Sequence, residues 1–268
     1  ISVGGMVANR KAFSNILMPN VHHLRHTHLK ENLFVKGEPE TGAYLADDLE
    51  RIAANIGGEN IAACIVEPIA GSTGSLVPPK GYLKRLREIC DKHGILLIFD
   101  EVITGWGRTG EPFAAQSFDV TPDIITMAKG ITNGVMPLGA VASRESIYDT
   151  LLDASPTGAI EFFHGYTYSA IPPCIAAGLA MQEIIKKENL FERSKNMSPY
   201  FLDGLFSLKD IDIITDIRGY GMLGGIDIKF DERLGKAGFS CFKKLFEVGL
   251  SLKATGDCLI VAPPFICE

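Results

Sequence analysis

Short runs of almost purely apolar residues recur along the first half of the chain, and each has the length of a β-strand rather than of a helix. We predict strands over residues 61–66, 95–99, 123–127 and 139–142. Residues 80–93 are predicted to form a helix, with apolar positions at helical spacing: Leu83, Leu86, Ile89 and Cys90. Because strands that are apolar on both faces must be covered on both sides, the alternation predicts an α/β fold with a mainly parallel sheet and flanking helices.

The second half of the chain has a different texture. Residues 172–187 have the pattern of a long helix, and after about residue 190 we predict strand pairs over 213–230 and 248–266 around a helix at 237–247. A chain of 268 residues is long enough for one large and one small domain. We therefore expect residues 1–190 to belong to a large α/β domain and residues 191–268 to a smaller α+β domain.

Charge and cysteine usage exclude several classes of protein. A formal net charge of -6 with no basic stripe gives no electrostatic reason to bind nucleic acid. The six cysteines form no C-x-x-C pair, and most lie in apolar runs, which is the usage of a reducing compartment. No signal peptide or membrane-length apolar run is visible, so we expect a cytoplasmic protein with no membrane partner.

Charged residues follow two of the predicted strands directly. Asp100 and Glu101 end the strand at 95–99, where a helix cap or a structural ion pair would also explain a carboxylate. Lys129 ends the strand at 123–127 between Ala128 and Gly130, which leave room beside it. Taken alone, such a lysine is most often a surface residue whose amine reaches water.

Asp100 and Lys129 are more informative together than apart. They lie roughly 30 residues apart, about one strand–helix–strand unit, so both can project into one crevice at the carboxyl edge of the sheet. A reactive lysine beside an aspartate is what a pyridoxal phosphate site requires. The lysine forms a Schiff base with the cofactor aldehyde, and the aspartate keeps the pyridine nitrogen protonated because a nearby negative charge favours the charged form.

Several segments resemble one family of enzymes closely. They are residues 67–74 (EPIAGSTG), 77–82 (VPPKGY), 99–105 (FDEVITG) and 127–134 (MAKGITNG). These segments resemble the class III aminotransferases, which are fold-type I pyridoxal phosphate enzymes. Residues 162–169 (FFHGYTYS) and 2–6 (SVGGM) are similar to the ω-amino acid–pyruvate branch, which includes the β-alanine–pyruvate aminotransferases.

The resemblance implies a role for each matching residue near the cofactor ring. Lys129 would hold the cofactor and then move the proton between substrate and cofactor. Asp100 would pair with the ring nitrogen, and Val102, which points the same way two residues on, would pack on the ring face. Glu67, at the end of the preceding strand, would lie near the same pocket.

The resemblance also implies a homodimer with a shared active site. Thr167, with Tyr166 beside it, would contact the cofactor phosphate of the neighbouring subunit, since a hydroxyl and a backbone N–H suit phosphate oxygens. The expected reaction is transamination of an ω-amino acid such as β-alanine, or of an amine, with pyruvate as the amino acceptor. A related pyridoxal phosphate mutase, or an amine transaminase with another donor, remains an alternative.

The sequence departs from the family pattern in several places. Residues 170–172 are Ala-Ile-Pro where the family has Gly-His-Pro, and Lys253 stands where the family has its substrate-carboxylate arginine, unless Lys253 simply faces solvent. The family's phosphate-binding Gly-Ser segment and a ring-covering aromatic lie upstream of Ile1, and the last helix is missing. We therefore expect a chain truncated at both ends, and a catalytically inert fragment is a further alternative.

Some motifs are interpreted as structural. Gly219 to Gly224 matches G-x-G-x-x-G but precedes an alternating segment, so we predict a glycine-rich turn between strands rather than a nucleotide loop. The histidine cluster, which comprises His22, His23, His26 and His28, lacks a cysteine or carboxylate at ligand spacing, so we expect a packed loop and no metal. Trp106 follows Asp100 closely and is either a packed aromatic or a residue that borders the substrate site.

Overall fold

The computed structural model describes residues 1–160, 162–229 and 233–268. Its strands are β1 (Ala63–Val66), β2 (Leu96–Asp100), β3 (Ile124–Met127), β4 (Ala140–Ser143), β5 (Ile214–Tyr220), β6 (Leu223–Ile228), β7 (Lys253–Thr255) and β8 (Cys258–Val261). Its helices are α1 (Val7–Lys11), α2 (Asp47–Ile56), α3 (Tyr82–His93), α4 (Ala114–Ser117), α5 (Glu145–Ala154), α6 (Pro172–Lys187), α7 (Leu190–Phe206) and α8 (Lys236–Glu247).

The first sheet has the strand order β1-β2-β3-β4, and its first three strands are parallel. Strand β4 is antiparallel to β3, because the short connection from Met127 to Ala140 turns the chain back beside the strand it has just left. All four strands predicted in this half of the chain are present. The predicted α/β class with a mainly parallel sheet is confirmed.

Helix α3 covers one face of the first sheet. It begins at Tyr82, after Gly81 in a left-handed conformation with φ 81°. Its predicted apolar positions are buried in the same cluster as Leu97 and Phe99 of β2. The opposite face is more open than the sequence predicts, since Ile65 and Val141 are 39% and 69% exposed. Covering on both faces is therefore not observed among the described residues.

The second sheet has the strand order β5-β6-β8-β7 and is antiparallel throughout. The turn between β5 and β6 consists of Gly221 and Met222, which confirms the predicted glycine-rich turn between strands. Gly221 has φ 60°, and a Cβ there would lie 2.5 Å from the backbone oxygen of Arg108. A glycine is therefore required at this position for the turn to pack against residue 108.

The two faces of the second sheet pack against different partners. Leu223, Cys258 and Ile260 point toward the first sheet and join its buried cluster. Ile217 and Leu259 point the other way and form a second cluster, which includes residues of α7 and α8. Because one cluster includes residues of both sheets, the predicted division of the chain near residue 190 stays a prediction.

The sequence did not predict every element. The largest omission is α7, which has Pro199 inside it and many polar residues, so its apolar stripe is weak. The strand predicted to extend to residue 230 ends at Ile228, and residue 230 lies outside the described residues. Within the described ranges, no helix is both long and apolar enough to cross a bilayer.

Candidate active site

The predicted crevice at the carboxyl ends of the parallel strands is present. Asp100 is the last residue of β2 and is in register with Thr126 of β3, and Lys129 follows β3 after a single intervening residue. Both line one cavity of about 250 Å³. The full lining is Ile1, Gly4, Gly5, Met6, Asn9, Arg10, Glu67, Ser72, Asp100, Val102, Ile103 and Lys129. Four residues expected from the sequence to be near the ring therefore lie together: Glu67, Asp100, Val102 and Lys129.

Asp100 and Glu101 have opposite environments although they are neighbours. Asp100 lines the cavity, and its Oδ1 accepts a hydrogen bond from the Val102 N–H at 3.1 Å. Glu101 is 0% exposed, and its carboxylate accepts the backbone N–H groups of Ala114 at 2.6 Å and Ala115 at 2.9 Å. The helix-cap interpretation is thus correct for Glu101. Alternation along an extended chain turns Asp100 to the other side, toward the cavity.

Lys129 has an unusual backbone as well as a useful side chain. It has φ 47°, in the left-handed region that costs a non-glycine residue about 1–2 kcal/mol. Lys129 is an exposed residue, as the surface interpretation expects, but it also lines the cavity. Burial of the amine lowers the pKa of Lys129, while the nearby carboxylates of Asp100 and Glu67 oppose that shift. The amine is therefore more readily deprotonated than that of an ordinary lysine.

Glu67 follows β1 and contributes a second carboxyl group to the cavity. Its Oε2 accepts the N–H of Gly71 at 2.9 Å. Burial raises the pKa of Glu67, and the negative charge of Asp100 raises it further. Glu67 is therefore more easily protonated than Asp or Glu at an exposed position, and it holds the loop that leads to Ser72.

Lys253 is the first residue of β7 and reaches the edge of the cavity. Its Nζ donates to the Oγ of Ser72 at 3.3 Å, and Ser72 lines the cavity. The charge of Lys253 also acts on the pKa values of Glu67 and Lys129. The side chain is exposed, but it lies beside the site rather than pointing away from it.

Trp106 lies behind the lysine segment instead of in the cavity wall. Its ring packs against Phe113 with centroids 5.5 Å apart, and its Cβ would be 2.7 Å from a Cβ placed on Gly130. These contacts with Phe113 and Gly130 are those of a packed aromatic side chain. A role of Trp106 in binding substrate stays a prediction.

Tyr166 and Thr167 are not brought to the cavity of their own chain. Both are exposed, and the Tyr166 side chain has 75% of its surface open. Around them, Phe163 and Tyr168 are 92% and 81% exposed. Tyr166 and Thr167, which are predicted to contact the cofactor phosphate, therefore lie apart from the cavity that Asp100 and Lys129 line in the same chain.

Sequence reasoning missed several cavity residues. Gly4, Gly5 and Met6 belong to the SVGGM segment, for which the family resemblance implies no particular role. Arg10, at the end of α1, also lines the cavity, and its Nε is buried without a hydrogen-bond partner among the described residues. A buried donor of this kind is costly unless it is paired, so Arg10 is suited to an anionic ligand.

In the folded chain, His28 of the histidine cluster lies near two carboxylates that are distant in sequence, those of Asp216 and Asp227. His28 Nε2 lies 3.8 Å from Asp216 and 3.7 Å from Asp227, so these three residues could together offer metal ligands. However, Arg218 donates to both carboxylates, at 2.6 Å and 2.8 Å. Arg218 therefore already supplies the positive charge that balances Asp216 and Asp227.

Comparison with known proteins gives one family. The family model described as aminotransferase class-III matches residues 2–268. An omega-aminotransferase of Caulobacter vibrioides is 52% identical over 100% of this chain and 61% of its own length. An omega-amino acid–pyruvate aminotransferase of Pseudomonas putida is 46% identical over 98% of this chain and 59% of its own. The chain thus spans about 60% of the length of these relatives.

Solved structures agree with the sequence relatives. A transaminase studied with L-Ala superposes with a TM-score of 0.90 at 32% identity, over 100% of this chain and 64% of that one. The omega transaminase of Pseudomonas jessenii in complex with PMP gives a TM-score of 0.88 at 30% identity, over 100% of this chain and 60% of that one.

Proposed function

Because this chain belongs to the class III aminotransferases, we propose that its full-length protein moves an amino group from an ω-amino acid or an amine to pyruvate with pyridoxal phosphate. The observation that supports this most directly is the shared cavity of Lys129 and Asp100 at the ends of adjacent parallel strands. The names of the relatives support the choice of an ω-amino acid as donor, and β-alanine is the example that we propose.

The residues of the cavity fit this cofactor chemically. The set combines an amine of lowered pKa, a carboxylate and the apolar side chain of Val102, and Arg10 adds an unpaired donor for an anionic group. When bound, pyridoxal phosphate supplies an aldehyde and an electron-accepting ring that hold the amino group between donor and acceptor. We propose that Lys129 and Asp100 hold it, with Val102 against the ring.

Each residue then has a definite task. Lys129 Nζ accepts and returns the proton of the donor carbon, which its lowered pKa favours because a neutral amine is a base. Asp100, oriented by the Val102 N–H, holds a proton on the ring nitrogen through its negative charge. Val102 keeps water from the ring face. Glu67, which follows β1, stabilises the charged form of Lys129 and so opposes the lowering of its pKa.

We further propose a homodimer in which Thr167 and Tyr166 of one subunit serve the site of the other. Their exposure in a loop rich in exposed aromatics supports this, since large apolar side chains in a patch are typical of an interface. The six free thiols support an assignment to the reducing environment of the cytoplasm.

The proposed function is tested by measuring alanine formation from pyruvate with β-alanine or an uncharged amine as donor. The full-length protein should form alanine, and Lys129→Ala should not. Lys187→Ala, on the last turn of α6, is the matched control and should retain activity. A protein that forms no alanine from any donor would contradict the proposal.

A further inference from the structure

We propose that Arg218 is a positioning residue that holds the loop of residues 71–75 and, through Ser72, keeps Lys253 at the edge of the active-site cavity. The proposal rests on the proposed function, because it concerns how the site recognises a donor carboxylate. Arg218 is in β5, outside the cavity lining, and is 6% exposed.

The second sheet places Arg218 and Lys253 in one cross-strand row. Arg218 is in register with Gly225, Gly225 with Ile260, and Ile260 with Lys253. Residues of one row point to the same face of a sheet, so both cations project toward the first sheet. Three strand spacings separate them, about 14 Å.

The loop of residues 71–75 lies across this row between the two cations. Arg218 Nε donates to the backbone oxygen of Gly74 at 2.7 Å, and Lys253 donates to Ser72. The loop touches the sheet at Gly225, where an added Cβ would lie 2.5 Å from the Gly74 oxygen. Ser75 Oγ donates to the backbone oxygen of Gly224 at 3.1 Å. The loop is thus attached at both ends and rests on a glycine in between.

Arg218 can hold the loop because its other nitrogens are fixed. Nη1 donates to Asp216 at 2.6 Å and to Asp227 at 2.8 Å, and Nη2 donates to Asp227 at 2.9 Å. A planar guanidinium presents all these donors at once, which a lysine cannot do. Asp216 is in turn held by the N–H of Phe34 at 2.6 Å. The guanidinium therefore has one orientation, and Nε points to Gly74.

The consequence concerns the selectivity of the site. Lys253 is a flexible side chain, and Ser72 is its hydrogen-bond partner at the cavity. If the loop moves, Lys253 loses that partner and its amine is no longer fixed relative to Lys129. Recognition of a carboxylated donor should weaken, while an uncharged amine, which needs no cation, should bind as before.

The test uses four variants of the full-length protein. Arg218→Lys keeps the charge between the aspartates but gives up the bond to Gly74, and Gly225→Ala pushes the loop away without touching any charge. Ser72→Ala removes only the contact with Lys253. The control is Arg87→Lys, which alters another mostly buried arginine, paired with Asp123 at 2.7 Å and located on α3, the helix that covers the first sheet.

Two measurements are compared. Hydrogen exchange at the amides of Gly74 and Ser75, which donate to Gly71 at 3.0 Å in both cases, reports the attachment of the loop. The KM for β-alanine relative to that for an uncharged amine reports selectivity. We expect Arg218→Lys and Gly225→Ala to speed exchange and to raise this ratio about tenfold, the loss of one charged hydrogen bond. Ser72→Ala should raise the ratio without faster exchange, and Arg87→Lys should change neither.

Unchanged exchange in both Arg218→Lys and Gly225→Ala would overturn the proposal, as would faster exchange with an equal rise in KM for the two donors. Should Arg218→Lys fail to fold, Gly225→Ala decides alone. If no donor is transaminated, the proposed function fails separately, and acylation of Lys253 by an amine-selective reagent replaces the KM ratio. Faster acylation in the two loop-releasing variants would support the positioning role, and an unchanged rate would overturn it.

Discussion

The cluster at the strand ends and the loop of residues 162–169 were both predicted to serve one cofactor, yet the fold treats them differently. Glu67, Asp100 and Lys129 are placed by backbone that the sheet fixes, and they meet in one cavity. Thr167 and its aromatic neighbours lie in an exposed loop of the same chain. One group is organised by strand pairing, whereas the other has few contacts within the chain to organise it.

The difference indicates what each group requires. Strand-end residues are positioned by hydrogen bonds that form within the subunit, so their geometry should persist in an isolated chain. The loop exposes Phe163, Tyr166 and Tyr168, and such a surface is expected to become ordered only against a partner. Substitutions at the strand ends should therefore affect chemistry, and substitutions in the loop should affect cofactor retention and assembly.

The largest effect is expected at Lys129. Lys129→Ala should lower turnover at least about ten-thousand-fold, since it removes the side chain that we propose as both the covalent anchor and the base. Borohydride treatment of the wild-type protein with its cofactor should attach the cofactor to Lys129, which peptide mass mapping would locate. Because burial lowers the pKa of the amine, acylation of Lys129 without cofactor should also rise at a lower pH than acylation of lysine in a short unstructured peptide. A label on another lysine would refute the assignment.

The next largest effect is expected at Asp100. Asp100→Asn should retain some cofactor but lose turnover by several orders of magnitude, because each pKa unit lost at the ring nitrogen corresponds to about 1.4 kcal/mol. Steady-state kinetics with a fixed donor would measure the loss. Glu101→Gln is a useful contrast, since Glu101 caps α4 and should affect thermal stability more than the chemical step. Near-normal turnover of Asp100→Asn would exclude the proposed role.

A smaller effect is expected in the loop. Thr167→Ala should weaken cofactor retention by about 1–3 kcal/mol, the value of a hydrogen bond to a charged group, with little change in the turnover of saturated protein. Dialysis followed by measurement of bound cofactor would give the loss. Sedimentation should show at least a dimer, and a fully active monomer would rule out a shared site.

The smallest effect is expected at Lys253. Lys253→Arg should lower the KM for an ω-amino acid or pyruvate a few-fold and leave the KM of an uncharged amine nearly unchanged, because a guanidinium can grip a carboxylate with two parallel bonds. Both constants come from initial rates at varied donor. If the two donors respond equally, or neither responds, Lys253 does not contact the carboxylate.

Much of the first sheet could be predicted from sequence because its strands are apolar runs bounded by charged residues. The pairing of Asp100 with Lys129 followed from the spacing of parallel strands, and the family resemblance supplied Val102 and Glu67. The cavity residues at positions 4–10 could not be predicted, since no local pattern indicates which distant backbone they will contact. The hydrogen bonds of Arg218 could not be predicted for the same reason, because Asp227 and Gly74 meet Arg218 only through tertiary packing.

The left-handed backbone of Lys129 has a consequence for protein engineering. Glycine adopts φ 47° without the steric cost that a lysine bears, so Lys129→Gly should be inactive and yet more stable, by about 1 kcal/mol. A search for thermostable variants that ignored activity would therefore favour loss of this lysine. Stability and the proposed catalytic role thus compete at a single residue, and we expect a raised melting temperature at this position to accompany a loss of activity.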